Sequence, residues 1–314
     1  MKYIVTGAAG FIGSSLSEEL LNAGHDVLGI DCFTDYYDTK IKKNNLSKIL
    51  DHTNFSFIEE DLNFIDFSKI LNDVSVIYHQ AAQAGVRASW GKSFEHYTYN
   101  NIAATQKLLE AVKDSGSKVV YASSSSVYGD TTKLPMKEED TPKPVSPYGV
   151  SKLAAEHLCV LYNKNFNLHT VSLRYFTVYG PRQRPDMAFH KFIKAILKGE
   201  EIVIYGDGEQ TRDFTFIKDI VKANISAGEK GKPGAVYNIG GGSRVNVKHV
   251  ISLIEKVTNK KANVKYINTQ KGDVRHTFAD TSQAKADMDY SPNYSLEEGL
   301  AQEAQWIEKV ILPM

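Results

Sequence analysis

The stretch KYIVTGAAGFIG, residues 2–13, sets the expectation for the whole fold. It begins as a short apolar run, typical of a strand that is buried on both faces. The glycines Gly7, Gly10 and Gly13 follow, and after them comes a helical pattern of leucines. A second apolar run, DVLGID, then ends at Asp31. The order strand, glycine turn, helix, strand and acid predicts a dinucleotide-binding unit.

Each part of this unit has a physical role toward a dinucleotide. Glycines permit a tight turn and a close approach of the backbone, and the N-terminus of the helix faces the pyrophosphate. Asp31 lies eighteen residues beyond Gly13, where a carboxylate can accept hydrogen bonds from both ribose hydroxyls. The same charge would repel a 2′-phosphate. The sequence therefore predicts NAD rather than NADP.

The composition is that of an ordinary globular protein of 314 residues, with 42% hydrophobic and 24% charged residues. Lys+Arg and Asp+Glu number 37 each, so no net charge attracts nucleic acid or an anionic membrane. Cys32 and Cys159 show no spacing for a disulfide or a metal, which fits a reducing compartment. No apolar run approaches the length of a membrane span. We expect a cytoplasmic protein with no nucleic-acid, membrane or metal partner.

Apolar runs and helical patterns continue to alternate along the first half of the chain. They predict an α/β fold, a Rossmann-type doubly wound parallel sheet of about seven strands, followed by a smaller mixed α/β domain. The stretch 33–54 shows no clear pattern. We expect an NAD-binding domain of residues 1–174 with roughly 214–240, and a discontinuous substrate-binding domain of residues 175–213 and 241–314.

A tyrosine and a lysine four residues apart, Tyr148 and Lys152, begin a predicted helix. They share one helical face, so the ammonium could stabilise a phenolate that acts as a general base. Such a pair also arises often by chance. However, the serines at 123–126 end a predicted central strand, and the carboxyl end of such a strand is where parallel sheets bind ligands. The pair and the serines are therefore candidates for one site.

The G-x-x-G-x-x-G spacing, the serine-bearing strand end and the Tyr-x-x-x-Lys pair together resemble the extended short-chain dehydrogenase/reductase superfamily, in particular its NAD-dependent nucleotide-sugar enzymes. The resemblance implies a Ser-Tyr-Lys triad. Ser124 stands three residues before Val-Tyr-Gly, as the family serine does, and Ser125 is the second choice. Tyr148 would take the proton of the sugar 4-hydroxyl as hydride leaves for NAD. Lys152 would lower the pKa of the tyrosine and contact the nicotinamide ribose.

The same resemblance implies a set of cofactor contacts beyond the triad. Asp61 and Leu62 would meet the adenine, although Asp61 could equally cap a helix. Ala81 and Ala82 would let the backbone pass close to the cofactor, although small residues also serve packing. Asn100 would lie near the cofactor, or else with Asn101 at the surface. The full implied set is Gly7, Gly10, Phe11, Ile12, Gly13, Asp31, Asp61, Leu62, Ala81, Ala82, Asn100, Tyr148, Lys152 and Tyr175.

The sub-family is indicated by what positions 125 and 126 lack. The 4,6-dehydratases of this superfamily carry an Asp-Glu pair there and the decarboxylases a glutamate, whereas this chain has Ser125 and Ser126. Without a carboxylate beside the 4-ketone, elimination is poorly supported. The resemblance then implies 4-epimerisation, in which hydride leaves carbon 4 and returns to its other face. That reaction is redox-neutral, so a tightly bound NAD is regenerated in each turnover.

The segment PRQRPDMAF, residues 181–189, resembles the UDP-glucuronate 4-epimerases. Thr177, where many hexose epimerases have asparagine, points the same way. We hypothesise that Arg184 pairs with the C6 carboxylate of UDP-glucuronate, with Ser125 and Ser126 donating to the same group. The alternative is that Arg184 pairs with Asp186 or with solvent.

The remaining substrate contacts rest on position within family motifs. Arg212 and Arg275 would bind the diphosphate, Tyr205 would lie near the uracil, and Asp273 would contact the ribose. Each alone could equally be a surface charge or a core aromatic. The full implied set is Arg87, Ser125, Ser126, Thr177, Arg184, Phe189, Tyr205, Arg212, Asp273 and Arg275.

The resemblance also implies a homodimer in which helices 93–115 and 148–165 of each subunit form a four-helix bundle.

The alternative activities are 4-epimerisation of UDP-glucose or UDP-N-acetylglucosamine. UDP-glucuronate decarboxylation, 4,6-dehydration and a non-catalytic nucleotide-sugar-binding role are less favoured.

Overall fold

The computed structural model describes residues 1–268 and 272–314. Within these ranges the central sheet has seven strands, all parallel to their neighbours, in the order β11-β6-β5-β4-β1-β2-β3. Three pairs of short strands complete the second half: β7 with β10, β9 with β12, and β8 with β13. The strands are β1 Lys2–Thr6, β2 Asp26–Asp31, β3 Phe55–Glu59, β4 Val74–His79, β5 Lys118–Ser124, β6 Thr170–Tyr175, β7 Val178–Tyr179, β8 Glu201–Tyr205, β9 Thr211–Asp213, β10 Thr215–Phe216, β11 Val236–Ile239, β12 Arg244–Asn246 and β13 Asn263–Ile267.

Helices cover both faces of this sheet, which confirms the predicted doubly wound fold. Along β1, Tyr3 and Val5 belong to one core, whereas Ile4 between them belongs to the other. The helices are α1 Phe11–Asn22, α2 Thr39–Leu46, α3 Phe94–Tyr97, α4 Ala104–Val112, α5 Pro147–Phe166, α6 Ala188–Lys198, α7 Ile217–Lys230, α8 Val247–Thr258, α9 Ser282–Met288 and α10 Leu296–Trp306. Helices α1 and α7 pack on one face, and α4 and α5 on the other.

Local differences from the sequence expectations lie mainly in connecting segments. The unassigned stretch 33–54 contains α2, whose first turn is capped by the side chain of Asp38. The predicted helix 93–115 instead consists of α3, a π-helical stretch Thr98–Ala103, and α4. The asparagine pair lies in this wider turn, where Asn100 donates a hydrogen bond to the backbone oxygen of His96. Short π-helical stretches are frequent near functional sites.

In the second half of the chain, α6, α8 and α10 pack together around a core that is continuous with one face of the sheet. The chain returns to the central sheet through α7 and β11, so β11 lies beside β6 at the sheet edge. None of the helices in the described ranges is long and apolar enough to cross a membrane. The division into two domains stays a prediction.

Candidate active site

The glycine turn between β1 and α1 is packed too closely for side chains. Gly7 has a positive φ of 67°, and a Cβ added there would lie 2.8 Å from the backbone nitrogen of Ala81. A Cβ on Gly13 would overlap the carbonyl oxygen of Gly7. Helix α1 begins at Phe11 after Gly10, which has no side chain to cap it. The first N–H groups of α1 are therefore left for an anionic ligand, as a pyrophosphate requires.

Asp31 stands at the end of β2 beside this turn, and backbone groups fix its orientation. Its carboxylate accepts hydrogen bonds from Ala9 N at 3.1 Å and Phe33 N at 2.8 Å. Burial raises the pKa of Asp31, while Lys42 and the two backbone donors oppose the rise. Lys42 itself is buried and donates to the backbone oxygen of Thr34 at 2.7 Å. The sequence alone does not indicate Lys42 as a site residue, because it lies in the stretch 33–54, which shows no clear pattern.

The first cavity lies over this turn and runs along the carboxyl ends of the sheet strands. Every predicted cofactor-binding residue lines it: Gly7, Gly10, Phe11, Ile12, Gly13, Asp31, Asp61, Leu62, Ala81, Ala82, Asn100, Tyr148, Lys152 and Tyr175. Asp61 also accepts a hydrogen bond from the backbone nitrogen of Asn63 at 2.8 Å, so its local turn role and its place at the cavity coexist. The turn and cavity thus have the shape and donors that a dinucleotide requires.

Asn101 is buried rather than exposed at the surface, and it joins two walls of the first cavity. Its side chain accepts from Gln83 N at 2.7 Å, and it donates to Gln83 O and to Ser151 Oγ. Ser151 Oγ in turn donates to the backbone oxygen of Tyr148 at 2.8 Å. Asn101 therefore ties the loop after β4 to the first turn of α5. No local sequence signal distinguished it from its neighbour Asn100.

The second cavity adjoins the first, and Tyr148, Tyr175 and Arg184 line both. Seven of the ten predicted substrate contacts line it, namely Arg87, Ser125, Ser126, Thr177, Arg184, Arg212 and Asp273, and so does the predicted catalytic Ser124. Within the cavity Arg87 donates to Asp273, with Nη2 to Oδ2 at 2.7 Å. The two cavities share one edge, and that edge is where a cofactor and a substrate could exchange hydride.

Three predicted substrate contacts do not line this cavity. Phe189 is buried in the core against Phe214, with ring centroids 4.5 Å apart, because α6 directs it inward. Tyr205 contacts Arg87, which lines the cavity and whose guanidinium lies 4.1 Å from the ring centroid of Tyr205. Arg275 forms a bidentate pair with Asp207 at 2.9 Å. Of the three, Tyr205 acts on the cavity indirectly, through Arg87.

Tyr148 lies at the shared edge of the cavities, on the first turn of α5, which begins after Ser146 as its N-cap. Burial raises the pKa of the Tyr148 phenol, and a hydrogen bond with Ser124 and the charge of Arg184 oppose the rise. Burial lowers the pKa of Lys152 to about 7. Its Nζ lies 4.4 Å from the ring centroid of Tyr121. Tyr148 thus lies between Ser124, which lines the second cavity, and Lys152, which lines the first.

A buried ion pair holds the elements that carry the triad. Arg174 of β6 and Glu156 of α5 form a bidentate contact, with Nη2 to Oε1 at 2.7 Å and Nε to Oε2 at 3.0 Å. Ser123 Oγ of β5 donates to the same carboxylate at 2.6 Å. The pair therefore joins three elements directly behind Ser124. The sequence alone indicated no role for Arg174 or Glu156.

A glycine turn with an acidic strand end, beside a Ser-Tyr-Lys cluster between two cavities, defines a dinucleotide-dependent enzyme of the extended short-chain dehydrogenase/reductase type. The chain belongs to the NAD dependent epimerase/dehydratase family, whose model matches residues 3–240.

Individual relatives resemble the chain over nearly its whole length. It is 40% identical to the UDP-glucuronate 4-epimerase of Thermodesulfobacterium geofontis, over 98% of this chain and 97% of the relative. It is 45% identical to an uncharacterized UDP-glucose epimerase, YtcB, of Bacillus subtilis, over 99% of both chains. The crystal structure of UDP-glucuronic acid 4-epimerase from Bacillus cereus with UDP-glucuronic acid and NAD superposes with a TM-score of 0.95, at 46% identity, covering 99% of this chain and 100% of that one.

Proposed function

We propose that this protein is an NAD-dependent 4-epimerase that interconverts UDP-glucuronate and UDP-galacturonate. The observation that carries the proposal is the position of Arg184, which lines both cavities beside Tyr148. A cation at this edge suits a sugar that bears a carboxylate next to its reacting carbon. The relatives named for UDP-glucuronate support the same substrate.

The glycine turn and Asp31 would hold NAD, because the turn is too closely packed for side chains at Gly7 and Gly13 and the start of α1 lines the first cavity beside Asp31. When bound, NAD supplies the hydride acceptor at carbon 4. Tyr148 would accept the proton of the 4-hydroxyl, and Ser124 would hydrogen-bond the same oxygen. Lys152 would contact the nicotinamide ribose, and the charge of Arg184 would favour the phenolate.

The serines at the end of β5 favour epimerisation over elimination. Ser125 and Ser126 line the second cavity, where a hydroxyl can donate to a carboxylate but cannot serve as a strong acid or base. A keto-sugar formed there would turn and receive its hydride on the other face. A carboxylate held by Arg184 and these hydroxyls would also resist loss of carbon dioxide. The cofactor would leave each cycle in the state in which it entered.

A homodimer is the assembly that the exposed surface supports. Val150 and Leu161 of α5 are 46% and 51% exposed, and Tyr99, on the neighbouring helical segment, is 41% exposed. Large apolar side chains on adjacent helices favour burial against a second copy. We propose that these helices form the four-helix interface that the family resemblance implies, and that the enzyme works in the cytoplasm.

The proposal is tested by incubating the purified protein separately with UDP-glucuronate, UDP-glucose and UDP-N-acetylglucosamine, and by resolving the products chromatographically. We expect conversion of UDP-glucuronate to its C4 epimer. A UDP-pentose product would show decarboxylation instead. UDP-glucose is the second candidate, because YtcB is named for it and because one structural relative, MoeE5, is known in complex with either UDP-glucose or UDP-glucuronic acid. Turnover of UDP-glucose alone would favour that substrate.

A further inference from the structure

Arg184 has a charged partner within the protein. Its guanidinium makes a bidentate contact with Asp186, with Nε to Oδ1 at 3.0 Å and Nη2 to Oδ2 at 3.1 Å. Tyr36 donates to the same carboxylate at 3.3 Å, and burial raises the pKa of Tyr36 to about 12, so the phenol remains a donor. The alternative partner considered in the sequence analysis is therefore the one that this structure contains.

This cluster, Tyr36, Arg184 and Asp186, lies at the boundary between the two cavities. Tyr36 and Arg184 line both cavities, and Asp186 lines the second. Its formal charge is zero, because one guanidinium and one carboxylate cancel. The side chains of Arg184 and Asp186 are only 22% and 32% exposed, so their charges are weakly screened by solvent. Lys191 is a further cation that lines the second cavity.

The charge balance has different consequences for different sugars. With a neutral sugar, Asp186 leaves Arg184 compensated, so no bare cation is enclosed by the ligand. With a uronate, the carboxylate of the sugar brings a second negative charge to an arginine that already has a partner. The attraction that Arg184 can offer to the uronate is then reduced by Asp186.

We propose that Asp186 is a specificity-determining residue, which compensates Arg184 and so sets how strongly the enzyme prefers a uronate over a neutral hexose. This inference rests on the proposed function. A weaker attraction between Arg184 and the uronate also suits the reaction. The keto-sugar must turn between two hydride transfers, and a carboxylate bound equally tightly at every stage does not raise kcat. Asp186 thus lowers the affinity for the uronate and allows a higher kcat.

The test is the variant Asp186→Asn, which removes the charge at nearly constant volume. We expect the KM for UDP-glucuronate to fall about tenfold as the attraction is no longer opposed, and kcat to fall by a much smaller factor, less than about twofold. The ratio of kcat/KM for UDP-glucuronate to that for UDP-glucose should rise about tenfold. Asp186→Glu keeps the charge and should restore the ratio toward that of the unmodified protein.

Asp289→Asn is the matched control, because it removes the same charge from an exposed pair with Lys230 that lines neither cavity. Its ratio should equal that of the unmodified protein. Because Asp186 is a partly exposed loop residue, we expect Asp186→Asn to fold, as retention of NAD and the thermal midpoint will show. Should it not fold, Asp186→Ser carries the same test.

Failure of this inference and failure of the proposed function give different results. If the unmodified protein converts UDP-glucuronate but Asp186→Asn leaves the ratio unchanged, lowers it, or raises the KM for the uronate, Asp186 does not set the preference. If the unmodified protein does not convert UDP-glucuronate at all, the proposed function itself is wrong.

Discussion

The buried pair of Arg174 and Glu156 provides the sharpest stability prediction. Their side chains are 5% and 3% exposed, and the carboxylate accepts two bonds from the guanidinium and one from Ser123. Glu156→Gln removes the negative charge. It also replaces one carboxylate oxygen, which accepts hydrogen bonds, with an amide NH2 group, which can only donate them. A buried charge left without its partner typically costs about 3–5 kcal/mol. We therefore expect the free energy of unfolding to fall by about 3 kcal/mol.

Urea unfolding of the NAD-saturated protein, followed by circular dichroism, measures this loss. The matched control is Glu297→Gln, which breaks an exposed pair with Lys256 and should cost less than about 1 kcal/mol. Adding Arg174→Gln to Glu156→Gln removes the uncompensated cation, so about half of the loss should return. Because Ser123 precedes Ser124, we also expect kcat to fall with little change in KM.

A loss of stability in Glu156→Gln no larger than in the control would contradict this prediction. Such a result would mean that water or rearranged neighbours compensate Arg174, and that the network behind Ser124 is not rigid. A double variant less stable than Glu156→Gln alone would contradict the charge argument in a different way. It would show that the remaining bonds of Arg174, to Tyr128 and the backbone of Glu138, matter more than its charge.

Three further predictions concern Tyr148 and Lys152 of α5 and the glycine turn. Tyr148→Phe should lower kcat at least about a hundredfold while the protein still retains NAD, as product analysis and the absorbance of the released cofactor will show. Gly13→Ala should abolish NAD retention, because its Cβ would overlap the carbonyl oxygen of Gly7; a variant that still purifies with NAD would contradict this. Lys152→Met should stabilise the NAD-free protein at pH 7. Burial lowers the pKa of Lys152 to about 7 in the folded state, so its full cost is present below about pH 7 and disappears as pH approaches the unfolded value near 10.5. Unfolding measured from pH 7 to 10 should therefore show the gain shrinking, and a constant gain would contradict the assignment.

The parts of the site that the sequence predicted are those encoded over short distances. Gly7, Gly13 and Asp31 are recognisable because strand, turn and helix follow one another directly, and this local order determines where the cofactor cavity forms. Ser124 and Tyr148 are recognisable for a similar reason, since a strand end and a helix start each leave a mark in the sequence. Their meeting at one edge then follows from the parallel sheet.

The parts that it did not predict depend on packing between distant segments. Asn100 and Asn101 are identical in type, and only the π-helical stretch that contains them decides which one is buried against Gln83. Lys42 reaches its cavity through α2, a helix without a clear amphipathic pattern. In such cases the residue type is visible in the sequence, but its partner is not.

Arg184 and Phe189 show this limit within a single motif. Both belong to the segment that resembles the UDP-glucuronate 4-epimerases, and this resemblance predicts that both contact the substrate. The start of α6 at Ala188 separates them: Arg184 precedes the helix and reaches the cavities, whereas Phe189 lies on the helical face that packs against the core. Family position therefore identifies the segment that serves the site, but only the backbone direction identifies which of its side chains do. The partner of Arg184 follows the same rule, because Asp186 competes for it from two residues away.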